Sequence, residues 1–95
     1  MPAYVIVDIE VRDAARYEQY KQLAPASIDL YGGRYVARGG KVDVLEGNWR
    51  PKRCVILEFP SAARARQWWE SSEYAEGKRL RQETAKSNMI VVEGL

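Results

Sequence analysis

The sequence contains no histidine and only one cysteine, Cys54, and these shortages exclude several kinds of chemistry. Histidine is the usual general base near neutral pH, the commonest metal ligand and the usual proximal ligand of haem. A single cysteine can form neither an intrachain disulfide nor a thiolate metal cluster. No loop has the pattern of an all-oxygen Ca²⁺ or Mg²⁺ site. We therefore predict no metal and no cofactor. Any proton transfer must come from Asp, Glu, Tyr, Lys or Cys54, or else from a bound cofactor.

Long hydrophobic runs and a large excess of one charge sign are missing as well. No apolar run approaches the roughly 20 residues that span a bilayer. The N-terminal MPAYVIVDIEV lacks the basic region and cleavage site of a signal peptide, so a cytoplasmic location is expected. The net charge of +2 gives no reason to expect nucleic-acid binding. The basic residues from Arg64 to Lys86 alternate with glutamates, which favours a solvated surface.

The chain length is that of one domain, which we place at residues 1–95. Hydrophobic residues make up 46% of the chain, enough to form a core. A domain of this size buries only roughly 60–65% of the surface that its unfolded chain exposes. Association with a partner would therefore bury useful additional surface.

The first half of the chain predicts strand, helix, strand. Apolar and mixed positions alternate from Tyr4 to Val11, as in a strand with one fully apolar face. Asp13 is a suitable N-cap for a helix with apolar residues at three- and four-residue spacing. Pro25 predicts a kink or break in this helix, and Gly32-Gly33 ends it. The second strand is predicted at residues 34–38.

The second half begins with a longer loop. Val42–Leu45 is predicted as a short extra strand, Gly47–Pro51 as a turn, and Arg53–Phe59 as the third main strand. Two helices follow, with N-cap signals at Ser61 and at Ser71-Ser72. The second of them is predicted from about residue 73 to residue 86, and the last strand from residue 88 to residue 93.

This order is βαββαβ, which predicts an α+β fold of the ferredoxin-like split βαβ type. Such a fold has a four-stranded antiparallel sheet with both helical regions on one face. We expect the first and third strands at the centre of the sheet, running parallel to each other.

The sheet face without helices is too apolar to be freely solvated. Strand alternation places Tyr4 and Ile6 on this face, together with Cys54 and Ile56. We predict a homodimer in which two such faces close a dimeric α+β barrel, with a ligand cavity inside. A monomer with a partly wetted sheet is the alternative.

Charged residues share the same predicted face. Asp8 lies two residues after Ile6, and Glu58 lies two residues after Ile56, so each is predicted on the same face as that isoleucine. The position of Arg38 on the second strand places it on this face as well. Arg38 is therefore expected to approach Glu58 and to bind an anionic or carbonyl oxygen of a ligand. Glu58 and Asp8 are candidate catalytic bases, because a carboxylate with a raised pKa can accept a proton. The alternative is an ion pair that fixes strand register or the dimer interface.

Trp49 is a candidate ligand-binding residue because side chains in turns are not needed for core packing. The two Gly-Gly pairs are better explained by turn geometry than by phosphate binding, since no GxGxxG or Walker lysine is present. Of the adjacent Trp68 and Trp69, one is expected in the core and the other at a surface.

Several motifs taken together resemble one known family. They are YGGRYVARGG, LEG-x-W-x-P-x-R, LEFPS, W-x-x-SSEY and a final VVEG, and they extend from Tyr4 to Gly94. In this combination they resemble domain-of-unknown-function family thirteen-thirty, a family of small bacterial proteins. The resemblance implies a dimeric α+β barrel but no particular reaction. One departure is that a proline often follows the first serine of the SSEY motif in the family.

The family motif positions in this sequence include Tyr31, Arg38, Trp49, Glu58 and Arg81, and the resemblance adds Tyr31 to the candidate ligand-binding residues. Other barrels of this group include small monooxygenases, haem-degrading enzymes and muconolactone isomerases. Haem degradation is disfavoured by the missing histidine.

The leading hypothesis is a homodimer that binds a small polar or aromatic metabolite in its barrel, with the question of catalysis open. One alternative is a non-catalytic interaction or stress-related dimer module. Another, by analogy of fold, is a cofactor-independent monooxygenase-like enzyme.

Overall fold

The computed structural model describes all residues 1–95 and contains seven main elements. Their bounds are β1 Ala3–Val11, α1 Ala14–Leu30, β2 Arg34–Arg38, β3 Arg53–Phe59, α2 Ala62–Glu70, α3 Ser72–Thr84 and β4 Ala85–Glu93. The predicted α+β order is confirmed, and the helical region after β3 divides in two as expected. The predicted short strand at Val42–Leu45 is wrong, because residues 40–52 form no regular structure.

The four strands form one sheet in the order β2-β3-β1-β4, and every neighbouring pair is antiparallel. The expectation that the two central strands run parallel is therefore wrong. In a split βαβ unit the parallel partner of β1 is β2, and β3 inserts between them in the opposite direction.

One face of the sheet carries the core. Val5, Val7 and Ile9 of β1 are buried on this face, together with Leu57 and Phe59 of β3. The Trp68 ring of α2 lies between Phe59 and Tyr74, with ring centroids 5.4 and 4.1 Å away. Burial of these aromatic rings attaches both α2 and α3 to the sheet.

The helices begin at the predicted capping residues. Asp13 accepts a hydrogen bond from the Arg16 amide at 3.2 Å, and Ser61 accepts one from the Arg64 amide at 3.1 Å. Ser71 caps α3 through the Tyr74 amide at 3.1 Å. Each bond satisfies a backbone N–H that has no partner within its helix. No helix is long and apolar enough to cross a membrane.

Helix α1 does not break at Pro25 but continues to Leu30. A proline has no N–H, so the carbonyl four residues earlier, that of Lys21, loses its helical partner. Arg38 supplies a replacement, because its Nη2 donates to the Lys21 carbonyl at 3.2 Å. A side chain from β2 therefore compensates for a defect in α1.

Candidate functional site

The open face of the sheet is apolar at its centre, as predicted. Ile6 pairs with Ile56 on one side and with Ile90 on the other, and Tyr4 pairs with Val92. Ile90 and Val92 are 59% and 45% exposed, which is high for aliphatic side chains in a strand. These two residues were not among the predicted members of the face, although alternation along β4 identifies them.

Asp8 anchors the loop between β2 and β3 at one end of this face. Its carboxylate accepts hydrogen bonds from Trp49 Nε1 at 2.9 Å and from the Lys52 backbone N–H at 3.2 Å. The Trp49 side chain itself remains 63% exposed. Asp8 and Trp49, both predicted site residues, thus lie together.

Glu58 lies toward the opposite end of the open face. In the β1–β3 ladder it faces Tyr4, whereas Asp8 faces Cys54, four positions along the strand. At about 3.3 Å per residue, the two carboxylates are separated by about 13 Å within one protomer. They cannot act on the same small ligand atom unless a second copy brings other groups between them.

The predicted contact between Arg38 and Glu58 is wrong, and Arg34 takes the place of Arg38. Arg34 Nη2 lies 2.5 Å from Glu58 Oε1. A β-bulge between Tyr35 and Ala37 reverses the alternation, so that Ala37 faces Ile56 on the open side. Arg38 is consequently directed to the helical side, where its guanidinium lies 4.5 Å from the centre of the Tyr35 ring.

Tyr31, the remaining predicted site residue, lies at the C-terminal end of α1. Its hydroxyl donates to Glu73 Oε1 at 2.7 Å, and the Arg64 guanidinium lies 5.0 Å from its ring centre. The hydrogen bond to Glu73 raises the pKa of Tyr31 and lowers the pKa of Glu73. The structure therefore groups Asp8 with Trp49 and separates both from Tyr31 and Arg38.

A cluster of tyrosines and arginines fills the space between β2 and α1. It surrounds a void of about 20 Å³, which holds about one water molecule and no metabolite. The Tyr20 hydroxyl is hydrogen-bonded to the Tyr74 hydroxyl at 2.9 Å. Burial, and then the neighbouring Tyr74, raise the pKa of Tyr20 above its ordinary value.

A cavity lies between α2, α3, β1 and β4, and we call it the β4 pocket. Its volume is about 500 Å³. It is lined by Val5, Ala65, Arg66, Trp68, Trp69, Glu70, Arg81, Gln82, Ala85, Ser87, Met89, Ile90 and Val91. This size and mostly apolar lining are typical of small-molecule sites. The pocket was not predicted from the sequence, because its walls come from four separate elements.

Two polar side chains of the β4 pocket are buried with incomplete hydrogen bonding. Arg81 is 5% exposed, and its one side-chain hydrogen bond runs from Nε to the Tyr74 hydroxyl at 3.3 Å. None of the five salt bridges includes Arg81. The Ser87 hydroxyl is buried and has no hydrogen-bond partner. Burying the Ser87 hydroxyl without a partner is costly, and a ligand acceptor would remove that cost. The terminal nitrogens of Arg81 also have unused N–H donors, but they are not fully enclosed.

The side chains form no group of three or more acidic or cysteine residues that could hold a metal ion. The polar groups of the β4 pocket are instead suited to hydrogen bonding. Arg81 and Ser87 can donate to a ligand oxygen, while Trp69, which is 41% exposed, supplies flat apolar surface.

The comparison with known proteins gives a family and a fold. The family described as "Domain of unknown function (DUF1330)" matches residues 2–95. No curated protein matches the sequence.

Several solved structures share the fold. A protein of unknown function from Rhodopseudomonas palustris, RPA0582, is 22% identical with a TM-score of 0.79, covering 99% of this chain and 82% of the other. A dimeric ferredoxin-like protein of unknown function from Jannaschia sp. is 10% identical with a TM-score of 0.73, covering 99% and 100%. The cofactor-independent oxygenase SnoaB from Streptomyces nogalater is 10% identical with a TM-score of 0.68, covering 99% and 93%.

Proposed function

The chain belongs to the DUF1330 family, and from this premise we propose that it is a homodimer that binds a small molecule in the β4 pocket. The observation that carries the proposal is the pocket itself. Its volume of about 500 Å³ lies within the range of about 300–1,000 Å³ that small-molecule sites occupy. The pocket lies between helices and sheet of one protomer, so this proposal moves the ligand away from the interior of the barrel.

The dimer follows from the apolar open face. Ile6, Ile56 and Ile90 stand side by side across three strands of this face. No helix covers them, and a contiguous apolar patch on a sheet marks an interaction surface. The similar Jannaschia protein, which is described as dimeric, supports the same arrangement. Ile90 also borders the β4 pocket, so dimerisation would shape one of its edges.

A thermal-shift screen with a matched pair of variants tests binding in the pocket. Ser87→Phe places a phenyl ring inside the pocket, where it should block a ligand. Gln67→Phe places the same ring at an exposed position of α2 outside the pocket. A ligand at 100 times its Kd should stabilise the wild type and Gln67→Phe by about 2.7 kcal/mol. It should not stabilise Ser87→Phe. If no class of metabolite raises the melting temperature of the wild type, the binding proposal fails and a non-catalytic interaction module becomes the better explanation.

The barrel interior is a second candidate site, favoured by the Asp8 carboxylate and its hydrogen bond from Trp49. In a face-to-face dimer, Asp8 and Trp49 of both copies, and the Arg34–Glu58 pair, would border the interior. Asp8 and Glu58 remain the candidate bases there, while Arg38 and Tyr31 would contribute only from outside it. Asp8→Asn should then lower ligand affinity without changing the dimer, whereas Ser87→Phe should have no effect.

Oxygenase activity is a further candidate function, supported by the similar structure of SnoaB, which is a cofactor-independent oxygenase. The aromatic walls of the β4 pocket would suit an aromatic substrate. Oxygen consumption with a panel of electron-rich phenols, compared between the wild type and Ser87→Phe, separates an enzyme from a binding protein.

A further inference from the structure

Arg81 is a buried cation that faces the β4 pocket without a carboxylate partner. Its side chain is 5% exposed and contributes to the pocket wall. An arginine side chain has five N–H donors, and only Nε is used here, toward the Tyr74 hydroxyl. Its terminal nitrogens have no hydrogen-bond partner but are not fully enclosed, so an anion in the pocket can pair with them.

The Tyr74 hydroxyl holds this guanidinium in place. Tyr74 is 1% exposed, its ring packs on Trp68 and its hydroxyl is also hydrogen-bonded to Tyr20. The bond from Arg81 Nε to Tyr74 therefore fixes the guanidinium before any ligand arrives. A donor held in this way loses little conformational entropy on binding.

A second polar group, on the β4 side of the pocket, also favours a ligand with an acceptor oxygen. Ser87 lies on β4 opposite Ile9, on the helical side of the sheet, and its hydroxyl has no partner. Apart from Arg81, the charged residues that line the pocket are Arg66 and Glu70, both exposed, so they largely offset each other. The net charge at the pocket is positive and concentrated at its buried end.

From this arrangement we propose that the ligand of the β4 pocket carries a carboxylate, or a comparable oxyanion, that pairs with Arg81 and accepts a hydrogen bond from Ser87. The rest of the ligand is flat and apolar and lies against Trp69 and the apolar side chains of β4 that line the pocket. This inference rests on the proposed function and adds the chemical class of the ligand. A planar guanidinium with free N–H groups matches the two oxygens of a carboxylate, and the exposed indole of Trp69 matches an aromatic body.

Tryptophan fluorescence measures binding directly. Trp49→Phe leaves two tryptophans, Trp68 and Trp69, both of which line the pocket. The probes are 1-naphthoate and its neutral analogue 1-naphthamide, which have nearly the same shape and differ in charge. We expect 1-naphthoate to quench the fluorescence with at least a tenfold lower Kd than 1-naphthamide, and its binding to weaken as salt is added.

Two pocket variants and one control test which residues cause the preference for 1-naphthoate over 1-naphthamide. Arg81→Met and Ser87→Ala should bring the two Kd values close to each other, mainly by weakening the naphthoate. Arg34→Gln removes a guanidinium from the open face and should leave the ratio unchanged. If Arg81→Met fails to fold, Ser87→Ala still tests the preference for the anionic probe. It removes a hydroxyl without a partner, so it should not lower the melting temperature.

The outcomes separate this inference from the proposed function. Equal binding of the two probes, abolished by Ser87→Phe, overturns the anionic ligand and leaves the pocket as a binding site. A naphthoate preference that persists in both Arg81→Met and Ser87→Ala also overturns the inference. If neither probe binds, the inference fails, and the thermal-shift screen still tests the pocket itself. If Ser87→Phe binds both probes as the wild type does, the inference and the pocket as the binding site fail together.

Discussion

Gly33, which follows α1, lies where no side chain fits. A Cβ at this position would stand 2.6 Å from Phe59 Cε1 and 2.8 Å from Ile28 Cγ2, both of them core residues. Gly33→Ala should therefore cost about 1–3 kcal/mol through overpacking. Urea unfolding measures the loss. The matched control is Gly40→Ala, because a Cβ there meets nothing within 4 Å and stability should change by less than about 0.5 kcal/mol.

The hydrogen bond between Tyr31 and Glu73 should make stability depend on pH. It lowers the pKa of Glu73 below 4.5, so the folded state favours the charged carboxylate. This contribution is present above the pKa of the unfolded chain and is lost as the pH falls through the lower folded pKa. Tyr31→Phe should melt at a lower temperature than the wild type near neutral pH, and the difference should shrink as the pH falls through the lowered pKa of Glu73.

A Glu73→Gln background provides the control for this pH dependence. With no carboxylate left to titrate at this position, the effect of Tyr31→Phe on the melting temperature should no longer vary between about pH 3 and pH 7. A constant effect of the same substitution over that range in the wild-type background would show that the bond does not favour the ionised Glu73.

At the scale of elements, the order and approximate bounds of strands and helices could be predicted because each depends on local signals. The alternation of β1 and the capping serines of α2 and α3 are contained in a few neighbouring residues. The continuity of α1 through Pro25 could not be predicted in this way. It depends on a hydrogen bond from Arg38, which is distant in sequence and is positioned by β2.

The bulge in β2 accounts for the failed part of the predicted site. Strict alternation would place Arg34 and Arg38 on one face, but the irregularity between Tyr35 and Ala37 moves Arg38 to the other. An extra residue in a strand reverses every later side chain. The sequence RYVAR contains no signal that predicts a bulge. Regular strands carry the other predicted members of the face, and these were placed correctly: Asp8, Cys54, Ile56 and Glu58.

Double-mutant cycles test this register directly. Arg34→Gln and Glu58→Gln should show a coupling energy of about 0.2–1 kcal/mol, as expected for a largely exposed ion pair. Arg38→Gln and Glu58→Gln should show none, because the two side chains lie on opposite faces of the sheet. Unfolding in urea supplies the four free energies of each cycle. A stronger coupling for Arg38 than for Arg34 would contradict the bulged register.

At the scale of the whole molecule, the fold separates two surfaces for which we propose different roles. The open face presents isoleucines and is suited to a second copy. The β4 pocket opens at the other side of the same edge strand and is suited to a ligand. The first could be predicted, because strand parity identifies an uncovered apolar face. The second depends on the spacing between α2, α3 and β4, which no local pattern specifies.

Ile56→Lys should prevent dimerisation, because Ile56 lies between Ile6 and Ala37 on the open face. A face-to-face dimer would bury two lysines, one from each copy, without partners. At about 2 kcal/mol for each, the dimer Kd should rise roughly a thousandfold. Light scattering after gel filtration at micromolar concentration should find a wild-type dimer and an Ile56→Lys monomer, with helical circular dichroism showing that both are folded. Ala63→Lys, at an exposed position of α2, adds the same charge on the helical side and should remain dimeric. A monomeric wild type, or an Ile56→Lys variant that dimerises like the wild type, would exclude the open face as the interface.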